Sequence, residues 1–198
     1  MKSISLNGEV RASVGKKDAK NLRKEELVPC VLYGGEAPVH FSVSQKEMKR
    51  ITHTPEVFQI DLNLSGTTHK AILKDTQFQS VTDELLHADF LMISEDKPVE
   101  VRIPSKVVGT SKGVLAGGKL QTKLRALRVK GIPSKLPEHI TVDITNVELG
   151  GSVKVREISV DGIELLDSPN AVVAAVRLTR GAIQAAKEAA KEAAEAEA

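Results

Sequence analysis

FQIDLNLSGTTHKAIL, residues 58–73, reads as two strands around a turn. Phe58, Ile60, Leu62 and Leu64 alternate with polar residues, which is the period of a strand buried on one face. Ser65-Gly66 supplies a short turn, and Ala71 and Leu73 return as the partner strand. The same grammar extends in both directions. Upstream, Val39, Phe41 and Val43 alternate, and Ser44-Gln45-Lys46-Glu47 has the form of a capping box that opens a short helix to about Ile51. Earlier still, Ile4, Leu6 and Val10 outline a first strand, which Gly15 ends. Asp18 is placed to cap a short helix through Arg23 and Glu26, with Ala19 and Leu22 inward and Lys17, Lys20 and Lys24 outward. Pro29 is expected to end that helix, and Val31-Leu32-Tyr33 to form a strand closed by Gly34-Gly35. Downstream, Leu86 to Leu91 makes a sixth strand. Six short strands with two short helices leave many sheet edges to protect, and a closed β-barrel protects them all.

Beyond Pro98 the composition changes. The aromatics Tyr33, Phe41, Phe58, Phe78 and Phe90 all precede residue 91, and Ser94-Glu95-Asp96-Lys97-Pro98 follows them as a polar break. The sequence therefore divides into a barrel over 1–95, a second domain over 96–182 and a tail over 183–198. Alternating Val99, Val101 and Ile103, recurrent Gly/Pro punctuation, Ile140, Val142 and Ile144, then Val153 and Val155, then Val172 to Val176 imply an all-β second domain. Leu120, Leu124 and Leu127 carry helical spacing, so 119–130 fits strand and helix alike. Ile-Pro-Ser-Lys occurs at 103–106 and 132–135 and reads as a repeated strand-exit turn. The tail, IQAAKEAAKEAAEAEA, is made of helix formers without an apolar stripe, so it is expected as a solvated helix or as disordered chain. The fold class is thus mainly β.

Charge points to the chemistry only after it is divided. Residues 1–97 hold 13 Lys+Arg and 14 Asp+Glu, and residues 98–182 hold 13 and 8. Binding of a polyanion by the first domain must come from arrangement, and between Arg11 and Lys24 there is one: Arg11, Lys16, Lys17, Lys20, Arg23 and Lys24 against the single acid Asp18. Such a run meets phosphate or forms a solvated helix face. Tyr33 can stack on a base or ribose, or fill the barrel. His87 and Asp89 lie two apart, on one face of a strand, with Leu86, Ala88 and Phe90 opposite. A donor and an acceptor side by side can read base edges. A metal half-site or an acid/base pair has the same residues, yet no third ligand or nucleophile stands at a recognisable spacing. In the second domain Lys119, Lys123, Arg125, Arg128, Lys130 and Lys135 follow one another without an acid and form either a cationic stripe or a soluble face. The glycines match no phosphate-binding loop, so an NTPase is excluded. No apolar run approaches the roughly 18 residues of a membrane span, and the single Cys30 allows no internal disulfide, so a cytoplasmic protein with no membrane partner is expected.

These residues resemble a known family. Glu9-Val-Arg11, Gly15-Lys16, Leu22-Arg23, Pro29, Tyr33-Gly34-Gly35, Lys74-Asp75-Thr-Gln77 and Leu86-His87-Ala-Asp89-Phe90 are similar, in order, to the bacterial large-subunit ribosomal protein number twenty-five family, over residues 1–93. Pro98-Val-Glu-Val, Gly113-Val-Leu-Ala-Gly-Gly and Asn170-Ala-Val-Val-Ala resemble the β domain of its long, general-stress (CTC) form. The resemblance implies a six-stranded barrel bound to the loop E region of 5S ribosomal RNA in the central protuberance. It also implies RNA contacts by Arg11, Lys16, Lys20, Arg23, Tyr33, Lys74, His87 and Asp89, with no catalysis, cofactor, metal or small-molecule substrate. The second domain would brace neighbouring ribosomal RNA or protein. Lys20-Asn21 stands where the family often has paired arginines, which removes a forked contact but keeps a phosphate-binding cation. Rival readings are a free RNA-binding module acting on transfer RNA or in stress, and a small hydrolase using His87 and Asp89.

Overall fold

The computed structural model describes residues 2–35, 37–94 and 97–181. The tail expected from Ile183 lies outside the described residues. The chain resolves into two compact units, Met1–Ile103 with Lys130–Glu138, and Pro104–Val129 with His139 onward.

The first unit is built on a closed barrel. Its strands are β1 (Lys2–Val10), β2 (Leu27–Tyr33), β3 (Val39–Ser44), β4 (Phe58–Leu64), β5 (Thr67–Phe78) and β6 (Leu85–Met92), with helices α1 (Lys16–Lys24) and α2 (Gln45–Thr52) in the first two long connections. The order around the barrel is β1-β3-β2-β6-β5-β4, closed by a parallel seam in which Lys2 faces Phe58 and Gly8 faces Leu64. The β4–β5 hairpin forms as its alternation demands. Phe58, Ile60, Leu62 and Leu64 are buried, and Ser65 and Gly66 both take positive φ, +48° and +89°, the left-handed pair a two-residue hairpin turn needs. Inside, Phe41 and Phe90 stack at a tilt with ring centroids 5.5 Å apart, surrounded by Leu6, Val28, Cys30, Leu32, Ala71 and Ala88. Gly8 faces this core: a Cβ there would come within 2.9 Å of both Phe41 and Leu64. The missing side chain makes room for the aromatic pair.

Three local expectations change. Helix α1 is capped by Gly15 rather than Asp18, and it ends at Lys24, where Glu25 and Glu26 turn the chain, Glu26 at φ +59°. Pro29 does not end a helix; it lies inside β2. It faces Ser42 of β3, and the β2–β6 pairing begins only at Cys30, so Pro29 stands at the margin of that seam. Ser44 does cap α2 by position, but its hydroxyl makes no capping hydrogen bond.

The rest of the chain supplies β7 (Val99–Val108), α3 (Lys112–Leu115), β8 (Lys119–Thr122), β9 (Ala126–Gly131), β10 (Ile140–Asp143), β11 (Ser152–Lys154), β12 (Ile163–Leu165) and β13 (Val172–Arg177). These form a four-stranded sheet ordered β10-β7-β9-β12 and a three-stranded sheet ordered β11-β13-β8. The helical spacing of Leu120, Leu124 and Leu127 is coincidental, because 119–130 is divided between β8 and β9 and only Leu127 is fully buried. The two Ile-Pro-Ser-Lys copies also part company. Residues 132–135 make a short 3-10 turn after β9, whereas 103–106 run through the middle of β7.

The GVLAGG motif, 113–118, is a packing device. Ser111 caps α3 by accepting from the Gly113 amide at 3.1 Å, while its own hydroxyl donates to the Val147 carbonyl. The same Gly113 amide donates to Val147 at 3.0 Å, and the Gly118 amide donates back to the Gly113 carbonyl at 2.8 Å. Gly113 lies against the backbone of Glu148 and Leu149, with no space for a Cβ.

Candidate nucleic-acid interface

Helix α1 lies against β2 on the outside of the barrel. Val31 points outward from β2 yet is buried, and the half-buried Ala19 and Leu22 are the apolar face of the helix. Two arginines fix it. Arg11, just past β1, donates from Nη2 to Asp18 Oδ2 at 2.7 Å, and its side chain is only 9% exposed. Its backbone amide donates to the His40 carbonyl at 2.9 Å, continuing the β1–β3 ladder by one residue. At the other end, Arg23 donates from Nε and Nη2 to the Leu86 carbonyl, at 3.1 and 3.0 Å. Asp18 thus serves as the anchor of Arg11 in the first helical turn, where a carboxylate also favours the helix dipole.

The run of six cations is therefore of two kinds. Arg11 and Arg23 hold the helix on the barrel. Lys16, Lys17, Lys20 and Lys24 are exposed and have no ion-pair partner among the described residues. The exposure of Lys17, Lys20 and Lys24 follows the helical spacing read from the sequence.

Beside the helix runs the parallel β2–β6 seam, where Val31 pairs with Asp89 and Tyr33 with Leu91. Ala88 and Phe90 point into the barrel and are fully buried, so His87 and Asp89 point out, 26% and 28% exposed. His87 Nδ1 lies 2.9 Å from Asp89 Oδ1. That spacing suits an ion pair with a protonated ring, but the alignment is not that of a hydrogen bond, and Oδ1 remains a buried acceptor without a donor. Tyr33 ends β2 on this outer face and is 43% exposed, so it does not fill the barrel. Gly34 follows at φ +98° and lies so close to the Met92 carbonyl that a Cβ would sit 3.2 Å from it.

The opposite side of β6 adds two residues that alternation misplaces. Counting by twos from the inward Leu73 sends Asp75 into the core. A bulge between Leu73 and Asp75 makes Lys74 the extra residue, so that Asp75 faces Asp89 and Gln77 faces His87 on the outer surface. A charged residue at a nominally inward position was the available signal for that bulge. Lys74 itself is not gathered into the cluster: its Nζ donates to the Glu100 carbonyl at 3.3 Å. The structure thus brings Arg23, Tyr33, His87 and Asp89 together, with Lys16 and Lys20 on the adjoining helix, and leaves Lys74 apart.

Cys30 is no nucleophile for His87. It pairs with Ala88 inside the barrel, on the other face of the sheet, and burial, reinforced by the negative charge of Asp89, pushes its thiol up to about 12. Native protein treated with a thiol reagent at pH 8 is expected to remain unlabelled, with one equivalent incorporated on unfolding. Rapid labelling of the native protein would show that the barrel opens.

A closed six-stranded barrel that carries a clamped lysine helix and a His–Asp seam, followed by a mainly β unit with a glycine-rich turn, defines a recognisable class. The Ribosomal L25p family matches residues 6–90, and the C-terminal domain of ribosomal protein TL5 matches residues 98–180. The chain belongs to the ribosomal L25p family, whose members are structural proteins of the bacterial cytoplasmic ribosome and not enzymes. It is 47% identical over 198 residues to the large ribosomal subunit protein bL25 of Phocaeicola vulgatus, covering 96% of this chain and 100% of that one. The proteins of the same name from Porphyromonas gingivalis and Bacteroides fragilis are 44% and 42% identical, covering 94% and 96% of this chain and 98% and 100% of theirs. Among the described residues no helix is long and apolar enough to cross a membrane.

Proposed function

We propose that the chain is a structural constituent of the bacterial large ribosomal subunit and binds 5S ribosomal RNA at loop E, in the central protuberance. The observation that carries this reading is the outward His87–Asp89 pair, 2.9 Å apart on the β2–β6 strand seam, beside four exposed lysines of α1 that have no ion-pair partner among the described residues. The lysines set the register by meeting phosphates, which carry no sequence information. Asp89 and Asp75 repel phosphate and accept only from groups such as base amines, so they select where bases present donors. A regular A-form helix hides most of its base edges in a deep, narrow groove, whereas an irregular internal loop exposes them. Tyr33, exposed at the end of the seam, supplies an apolar plane for a sugar or base. Arg11 and Arg23 serve RNA binding by holding α1 in place.

The test is binding to a 5S fragment with its internal loop intact, against the same fragment with that loop replaced by Watson–Crick pairs. Tighter binding to the intact loop is expected, and equal affinity would remove the specific claim. With four lysines on phosphates, log affinity should fall against log salt with a slope of roughly −3 to −4, at about 0.7 to 0.9 per phosphate. A flat response would show that α1 is a solvated face. Co-sedimentation with large subunits at physiological salt separates this reading from that of a free RNA-binding module.

A further inference from the structure

The second unit contains an electrostatic conflict that the barrel's role does not explain. In the β8–β13 ladder, Lys119 and Arg177 are direct cross-strand partners, both exposed. Like charges facing each other across an antiparallel pair destabilise it. The flanking stretches of chain supply no acid. From Lys112 to Pro137 and from Ser168 to Gly181 the chain contains no Asp or Glu. Neither Lys119 nor Arg177 has an ion-pair partner among the described residues, whereas Arg128, one strand further on, is satisfied by Asp167 at 2.9 Å. The Thr179 hydroxyl donates to the Gly117 carbonyl at 2.7 Å, tying the chain just past β13 to the turn just before β8. The exposed Arg180 follows directly, at the same end of the sheet as Lys119.

We propose that Lys119, Arg177 and Arg180 form a second phosphate-binding surface, separate from the α1 site, that takes the backbone of a regular RNA helix. The strand pair holds two cations side by side on a rigid support, so a phosphodiester backbone would meet both without further ordering of the protein chain. Neighbouring phosphates would turn the repulsion into attraction. The guanidinium of Arg177 suits a forked contact to one phosphate, which a lysine pair would lack. Beside the two cations of the ladder the neighbouring row is Gln121 facing Ala175, and Gln121 is half-buried, so the exposed groups of these two rows are the cations. Cations of this kind meet phosphates, which carry no sequence information, so binding here should depend on the backbone more than on the bases.

The test uses the full chain and two probes, an A-form RNA duplex unrelated to 5S RNA and the 5S fragment. Lys119→Ala with Arg177→Ala should weaken duplex binding about tenfold near physiological salt and make the salt slope shallower by about 1.5. Binding to the 5S fragment should change less than twofold. Failure of the loop E reading would equalise the two probes while leaving the loss caused by the double variant intact, so the two claims fail separately. Lys119→Gln serves as the control for folding, since relief of the repulsion should raise the melting temperature of the free protein. Unchanged duplex affinity in the double variant would overturn the proposal. Equal binding of poly-glutamate, lost in the same variant, would overturn it in favour of an acidic protein segment.

Discussion

Asp89→Ala should weaken binding to the 5S fragment by about 10- to 100-fold, as expected for one good base contact worth roughly 1–3 kcal/mol, and should leave binding to a regular duplex unchanged or slightly tighter. The asymmetry follows from sign. A carboxylate repels every phosphate near it, so its removal can only help nonspecific binding; a loss confined to the intact loop requires that Asp89 accept a hydrogen bond from a base. Asp89→Asn keeps one acceptor oxygen and should lose less. The melting temperature should change little in either variant, because loss of the partly exposed His87–Asp89 pair is offset by relief of the repulsion between Asp89 and Asp75 across the ladder. Equal gains in affinity for both RNAs would reduce Asp89 to a repulsive charge.

The largest effect on stability is expected at Gly113→Ala, about 3 kcal/mol or more, read as a drop in the denaturant midpoint. The added methyl would stand 2.6 Å from the Glu148 carbonyl carbon, 2.7 Å from the Leu149 nitrogen and 2.8 Å from the Glu148 oxygen. All three are backbone atoms, so no side chain can rotate away, and relaxation must break the Gly113–Val147 bond or shift the loop after Ile144. Gly15→Ala is the control. Its backbone is extended and a Cβ there meets nothing within 4 Å, so a small change is expected. Comparable losses from the two substitutions would mean that the GVLAGG packing carries no special weight.

These effects show where the sequence was legible. Strict alternation in Phe58–Leu64 and the left-handed turn chemistry of Ser65-Gly66 are local, and they gave the hairpin directly. The barrel followed from the number of strands and the need to protect their edges. Contacts between distant residues were not legible. Arg11 and Lys16 look alike in a list of cations, and only the fold brings Asp18 onto Arg11 and the Leu86 carbonyl, 63 residues away, onto Arg23. Asp75 was hidden for a related reason, because one bulged residue inverts the period on which the inward or outward assignment rests. Proline in isolation terminates a helix; here the strand accepts Pro29 because pairing with β6 starts one residue later.

The two parallel seams of the barrel have a consequence for the order of events during synthesis. Lys2 must wait for Phe58, and Cys30 must wait for Ala88, before either seam can close. Contacts so far apart along the chain impose a large loop-closure cost and slow the search for them. The β2–β6 seam is also where Tyr33 and Asp89 meet, and the carbonyl that holds Arg23 belongs to the same strand. A nascent chain released short of β6 would display its lysines on an undocked segment, attractive to any polyanion and selective for none. On the proposed reading, discrimination between RNAs would come only when the sixth strand docks.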